Sequence, residues 1–454
     1  MPIDADVIVV GAGVSGLAAA ARLGRSGISV IVLEARERVG GRILTCQDGD
    51  VAVEMGAEFI HGMPPEIWVP LQKKNVPLTE GQGDSWCHTT AGLTTCDFFG
   101  DVQKILDRMD GDAPDESFLK FLNRCCPDSG GDERQRSARR RALAYIVGFN
   151  AADPDKVGVH WLVQEMRAEE KIDGDRAFRS QHGYRDLIDI FLADINDTGG
   201  SLLTGIVVKG INWKPAAVSL TARRGSEDVT LQCRQALITV PLTILQAAPR
   251  ESGALHFTPA LPACKVDALR KLEMGEVIRV SLKFRERFWE RITASEGSKT
   301  LSEMNFLFSE DEWFPTWWTM FPNPAPILTG WAPFRSADRL SGNSRTFVVV
   351  RALETLSRLL QIQVDDLGNL LEADYFHDWQ HDPFSRGAYS YGKVGADGAQ
   401  SELARSISDT LFFAGEATDA AGHNGTVHGA IATGLRAADE ILSRQRPKVE
   451  AGNR

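Results

Sequence analysis

Six residues near the start of the chain, Gly11-Ala-Gly13-Val-Ser-Gly16, have the spacing that lets a backbone close around a phosphate. Gly11 permits a tight turn, Gly13 removes the side chain that would hold a pyrophosphate away, and Gly16 lets a helix pack closely on a strand. A helix beginning there offers unpaired N–H groups and a positive dipole end to an anion. Glu34 ends the next apolar run, where a carboxylate can take both hydroxyls of a ribose. Together they specify a dinucleotide with a free 2′-hydroxyl, without separating NAD from FAD. Arg36, two residues on, joins the cofactor-binding set.

The elements that must position these groups are legible around them. Asp6 to Val10 is a short β-branched run, Leu17 to Ser26 reads as a helix, and Ile28 to Leu33 as a second strand, which makes a β-α-β unit. Ser201 to Ile211 and Gln235 to Val240 predict further strands, and Leu411-Phe-Phe a last one before a helix from Gly429 to Arg444. The nucleotide domain is therefore assembled from separate parts of the chain, expected at 1–83, 200–265 and 395–454. A helical stretch from about 115 to 195 and a strand-rich one from 277 to 391, with the aromatic run Trp313 to Phe321, build a second domain at 84–199 and 266–394. Two lobes with a cleft between them are expected of 454 residues.

Composition narrows the partners. A net charge of −11, with basic residues clustered only at Arg134, Arg136, Arg139, Arg140 and Arg141, excludes a basic nucleic-acid-binding face. The seven cysteines are odd in number and widely spread, which predicts neither a metal site nor a disulfide framework. The first residues carry no positive segment, and no apolar run approaches the ~18 residues of a membrane span, so no membrane partner and a cytoplasmic location are expected. The polar tail 444–454 is expected to be disordered.

A second glycine pair follows the nucleotide unit: Arg38-x-Gly40-Gly41-Arg42-x-x-Thr45. Adjacent glycines let backbone lie against a large cofactor, and arginine supplies charge to its pyrophosphate. With Val53-Glu-Met-Gly56-Ala57-Glu-Phe-Ile-His61-Gly62, Leu411-Phe-Phe-Ala-Gly415-Glu416-Ala-Thr418 and Asn424-Gly-Thr426-Val427-His-Gly429, these motifs resemble, in order and over nearly the whole chain, those of the flavin amine oxidases. That family includes monoamine and polyamine oxidases, L-amino-acid oxidases and flavin histone demethylases.

The resemblance implies an α/β, two-lobe flavin amine oxidase fold: a Rossmann-like FAD-binding domain and an α+β substrate domain with a mixed sheet. It implies FAD, with Gly56 and Ala57 lining the isoalloxazine, Val208 at the adenine, Gly415 and Glu416 by the pyrophosphate and ribityl chain, and Val427 and Thr426 at the pyrimidine end. Ala388 stands where monoamine oxidases carry the flavin-bonded cysteine, so the FAD is expected to be non-covalent. Tyr389 matches the aromatic cage position, Thr426 its opposite wall, and His61 a histidine that meets the substrate amine. Glu58, Trp379 and the Trp317/Trp318 pair fall near the same region, each with an ordinary core role as the competing reading.

The implied reaction is transfer of hydride from the carbon bearing nitrogen to the flavin, hydrolysis of the imine to an aldehyde, and reduction of dioxygen to hydrogen peroxide. The substrate is a small-molecule amine; which amine, and the oligomeric state, are not readable. Arg279 departs from the family, which carries there a lysine that holds a water on the flavin; Lys283 lies four residues later on the same strand face. The alternatives are an L-amino-acid oxidase using Arg279 or Arg386, a desaturase or porphyrinogen-type oxidase, an amine dehydrogenase with another electron acceptor, and a non-catalytic flavoprotein. The histone demethylase reading lacks a long helical insertion.

Overall fold

The computed structural model describes residues 3–128, 132–295 and 297–445; beyond 445 the tail expected to be disordered lies outside them. Two compact units share the chain, one from Met1–Gly41, Arg185–Leu272 and Gly398–Arg454, the other from Arg42–Tyr184 and Glu273–Asp397. Relative to the boundaries read from sequence, residues 185–199 and 266–272 move to the first unit, and residues 395–397 and 42–83 to the second. The short strands within 42–83 explain the largest of these shifts: Ile60–His61 and Leu78–Glu80 both pair with Ala177–Ser180.

In the first unit β1 (Ala5–Val10), α1 (Val14–Arg25) and β2 (Val30–Leu33) form the expected β-α-β unit. Val7, Ile8 and Val9 have no exposed surface, the pattern of a parallel strand covered on both faces. The strand Glu227–Ile238 does two jobs: its first half pairs antiparallel with Ala217–Arg224, its second half parallel with β1 and Leu411–Phe413. Register aligns Val10 with Leu33 and with Ile238, and Ile238 with Phe413. The carboxyl ends of four parallel strands are therefore level, the edge where open α/β sheets bind ligands. Gly11, Glu34, Thr239 and the Ala414-Gly415 turn all follow directly from that edge.

The second unit is built on a seven-stranded mixed sheet in the order Leu371–Phe376, Val277–Phe284, Ile327–Pro333, Thr316–Thr319, Met304–Phe308, Asp84–Thr89, Gly92–Thr95. Met304–Phe308 and Asp84–Thr89 run parallel and the other neighbours antiparallel. The helices Phe118–Cys125, Glu133–Gly148 and Val159–Glu169 share an apolar core. The stretch expected to be rich in strands also contains the helix Arg345–Leu360, capped by Ser344, whose Val348, Ala352 and Leu356 pack on the sheet. One expectation is overturned outright. Cys87 and Cys96 form a disulfide with Cα atoms 5.8 Å apart. Their proximity arises only when the hairpin Asp84–Thr89/Gly92–Thr95 folds back on itself, which spacing in the chain does not announce.

Candidate functional site

In the first unit the two glycine motifs are one structure. Gly40 N–H donates to Ala12 O at 2.8 Å, and a Cβ on Gly41 would lie 3.2 Å from the Cα of Gly13. Gly11 has φ +110°, and a Cβ on Gly16 would fall 2.1 Å from Gly11 O, so both must be glycine for the turn to close. Gly13 is different: a Cβ there would meet nothing within 4 Å. It caps α1 without a side-chain hydrogen bond, leaving open space in front of free helix N–H groups. A dinucleotide pyrophosphate fits that space.

Glu34 is buried, accepting from Ala12 N–H at 2.9 Å through one oxygen and from Arg36 N–H at 3.0 Å through the other. Each oxygen retains a lone pair for a ribose hydroxyl. The Arg36 guanidinium lies 3.6 Å from Glu34, beside the carboxylate rather than at the glycine turn. Val208 is buried in the strand Ile206–Lys214. Gly415, at φ +120°, donates its N–H to Thr433, and Glu416 is buried with its carboxylate on Gly425 N–H at 3.0 Å. Thr426 Oγ1 accepts from Gly429 N–H and donates to His423 O, so its hydroxyl caps the helix Val427–Gln445. Val427 begins that helix with an N–H outside the helical ladder.

In the second unit Arg42 donates to Ala388 O at 2.8 Å, and its own carbonyl accepts from Ala57 N–H. A Cβ on Gly56 would fall 1.9 Å from that carbonyl. Thr45, the last residue of the second motif, stands opposite Glu54 in the hairpin Thr45–Asp48/Val51–Glu54 and donates to its carboxylate at 2.9 Å. Tyr184 N–H donates to the same group. Burial nevertheless pushes the Glu54 carboxyl up to about 7.

His61 sits among rings, edge-on to Phe149 with centroids 5.3 Å apart and 6.1 Å from Phe59. Burial drives its pKa down to about 4, so it is a neutral imidazole at pH 7. Tyr389 donates its hydroxyl to Phe149 O at 2.6 Å, and burial pushes the phenol upward. His61 and Tyr389 thus both meet Phe149, the one at its ring and the other at its carbonyl. Trp379 donates to Met55 O at 2.7 Å; Trp317 is a core residue bonded to Phe314 O.

Arg279 is not a free cation. It is buried, donating to Gly56 O at 2.9 Å and pairing with Glu58, whose other oxygen takes Arg179 Nε at 2.6 Å. Trp318 Nε1 also donates to Glu58 at 3.1 Å, and the Arg279 guanidinium lies 5.4 Å over the Trp318 ring. Burial raises the Glu58 carboxyl, but Arg279 and Arg179 outweigh it and hold it below its ordinary value. Sequence reasoning missed Arg179 altogether. Its one signal was the alternation of Ala177–Ser180, too short to mark a partner. Lys283, on the same strand as Arg279, pairs instead with Asp48 at 2.8 Å.

A family model described as flavin containing amine oxidoreductase matches residues 14–82 and 97–442. Lysine-specific histone demethylase 1 homolog 2 of Arabidopsis thaliana is 28% identical over 97% of this chain, which spans 58% of that protein's length. Polyamine oxidase 2 of Arabidopsis thaliana is 26% identical over 96% of this chain and 88% of its own length. Among solved structures, a double mutant of putrescine oxidase superposes with a TM-score of 0.79 at 20% identity, covering 97% of this chain and 100% of that one. Wild-type putrescine oxidase bound to putrescine gives 0.78, covering 97% and 99%. At such identity the likeness speaks for the fold.

Proposed function

The chain belongs to the flavin containing amine oxidoreductases, and from that premise we propose that it is an FAD-dependent oxidase of a small-molecule amine. FAD is held without a covalent bond, its pyrophosphate at Gly13 and the start of α1, its ribose on Glu34 and its adenine near Val208. Gly415, Glu416 and Val427 attend the rest of the cofactor. When bound, the flavin supplies the two-electron acceptor for hydride from the carbon bearing nitrogen.

The observation that carries the reading is the neutral imidazole of His61 in an aromatic setting shared with Tyr389. An amine can lose hydride from its carbon only when its nitrogen lone pair is free to push, so the ammonium must shed a proton on entry. A charged acid–base pair would hold the ammonium; a neutral nitrogen acceptor does not. His61 accepts a hydrogen bond from the neutral amine, the face of Tyr389 orients it, and Phe59 and Phe149 exclude water.

The L-amino-acid oxidase alternative loses support from Arg279, whose charge is already matched by Glu58 and whose terminal nitrogens are engaged by Gly56 O and Glu58. The acceptor is dioxygen, giving hydrogen peroxide, with an amine dehydrogenase as the second reading because arginine replaces lysine at 279. Anaerobic bleaching of the purified flavoprotein with monoamines, polyamines and L-amino acids, followed by admission of air, tests all of this. Bleaching by amines that reverses in air with peroxide is expected. Bleaching by amino acids alone, or by nothing, would overturn it.

A further inference from the structure

The second unit carries two adjacent cysteines, Cys125 and Cys126, that the proposed chemistry does not use. Along a helix the side chains of neighbours diverge, so adjacency alone would hold their sulfurs apart. Here the helix Phe118–Cys125 stops between them. Cys126 caps it at φ −144°, ψ 68°, and that turn of the backbone brings the two sulfurs to 3.2 Å. The turn is anchored from the next helix: Arg139, on Glu133–Gly148, donates to Leu122 O at 3.0 Å and to Cys126 O at 2.7 Å.

The two sulfurs are not equivalent. Cys126 Sγ accepts from the Cys125 thiol and from the Arg108 guanidinium, the latter at 3.3 Å. A sulfur held by a cation and a second donor is set up to carry negative charge, and the thiolate is the nucleophilic form of cysteine. Cys125 keeps its proton, since burial and the neighbouring sulfur push its thiol up to about 12. Both residues remain partly exposed, within reach of a small solute.

We propose that Cys125 and Cys126 form a site of reaction with hydrogen peroxide, Cys126 as the attacking thiolate and Cys125 as the thiol that resolves it. The Cys126 sulfur attacks one peroxide oxygen; an S–O bond forms, the O–O bond breaks, and hydroxide leaves as water with the proton shed by Cys126. The sulfenic acid carries no charge to oppose ionisation of Cys125, whose sulfur then attacks that of Cys126. The S–O bond breaks, the S–S bond forms, and a second water carries off the Cys125 proton. The two thiols lose two electrons and two protons, and peroxide is reduced to two waters.

Adjacent Cα atoms lie about 3.8 Å apart across a trans peptide, closer than the ~4.4 Å at which ordinary disulfides begin, so the bond is strained and a thiol reductant reopens it. The pair is thereby a reversible trap for the oxidant that the reaction proposed above releases. It does not depend on that reaction, because peroxide from any source reacts alike.

The test treats the purified holoenzyme with stoichiometric hydrogen peroxide, alkylates the remaining thiols and maps the peptides by mass spectrometry. The peptide holding Cys125 and Cys126 should lose two hydrogens ahead of any change at Cys46 or Cys264, and recover them with dithiothreitol. Arg108→Gln should slow that loss about 10-fold. Cys125→Ser should leave on Cys126 a sulfenic acid that dimedone captures, and Cys126→Ser should leave Cys125 unoxidised at the same dose. Oxidation spread evenly over the free cysteines, no slowing in Arg108→Gln, or dimedone captured by Cys125 in Cys126→Ser would each overturn the assignment. The first is read on the native sequence, so it decides the matter even where a variant does not fold.

Discussion

Arg279 shows how one side chain can answer to two demands. Replacing it with lysine keeps the charge but gives a compact ammonium that cannot hold both Gly56 O and Glu58. Arg279→Lys should therefore lower the unfolding free energy by about 1–3 kcal/mol in urea titration. It should also speed reoxidation of the reduced flavin by dioxygen in stopped flow; unchanged or slower reoxidation would remove Arg279 from any account of the oxygen reaction. Glu54 gives a pH signature. Its carboxyl is raised from 4.5 to about 7 on folding, so the native state binds the extra proton and stability falls as pH rises across that window, by up to about 3 kcal/mol. His61, lowered from 6.5 to about 4, acts in the opposite sense, its contribution increasing with pH between those values. Glu54→Gln should therefore make stability rise more steeply between pH 4.5 and 6.5 than in the wild type, read by denaturant unfolding at successive pH values. None of this was readable beforehand. Glu58 and Arg279 are 221 positions apart, and no local spacing says that a buried arginine will find a carboxylate at such a remove.

The glycine turn makes a paired prediction at the level of the element. Gly13→Ala places a methyl in open space and should leave thermal stability within a degree or two in the absence of flavin, yet weaken FAD binding at least 10-fold by fluorescence titration. Gly16→Ala drives its methyl into Gly11 O, and its melting temperature should drop several degrees whether or not flavin is present. If the two variants behaved alike, the open space at Gly13 would have no role in binding. This element was legible because strand, turn and helix follow one another within one short stretch of chain. The helix Arg345–Leu360 was missed although Ser344 and the spacing of Val348, Ala352 and Leu356 announce it, because the surrounding aromatic and β-branched residues favour strand. The disulfide was missed for a different reason, since only a formed hairpin brings Cys87 to Cys96.

At the scale of the molecule, motifs at both ends of the sequence revealed that the nucleotide-binding unit is discontinuous, but packing alone could place residues 42–83 with the other unit. The first unit is closed by α1 against the helix Val427–Gln445, where a Cβ on Gly434 would come 2.2 Å from Ser15 O. Gly434→Val should cost about 1–3 kcal/mol and lower flavin content in the purified protein, measured by unfolding and by absorbance ratio. That closure also has a history in time. β1 leaves the ribosome roughly 400 residues before Leu411–Phe413 and the helix beginning at Val427. At about 5–20 residues per second the interval is roughly 20–80 s. Throughout it the apolar faces of β1 and α1 have no native cover from the segment 411–445, and the flavin-binding surface of the first unit is complete only once that segment has emerged.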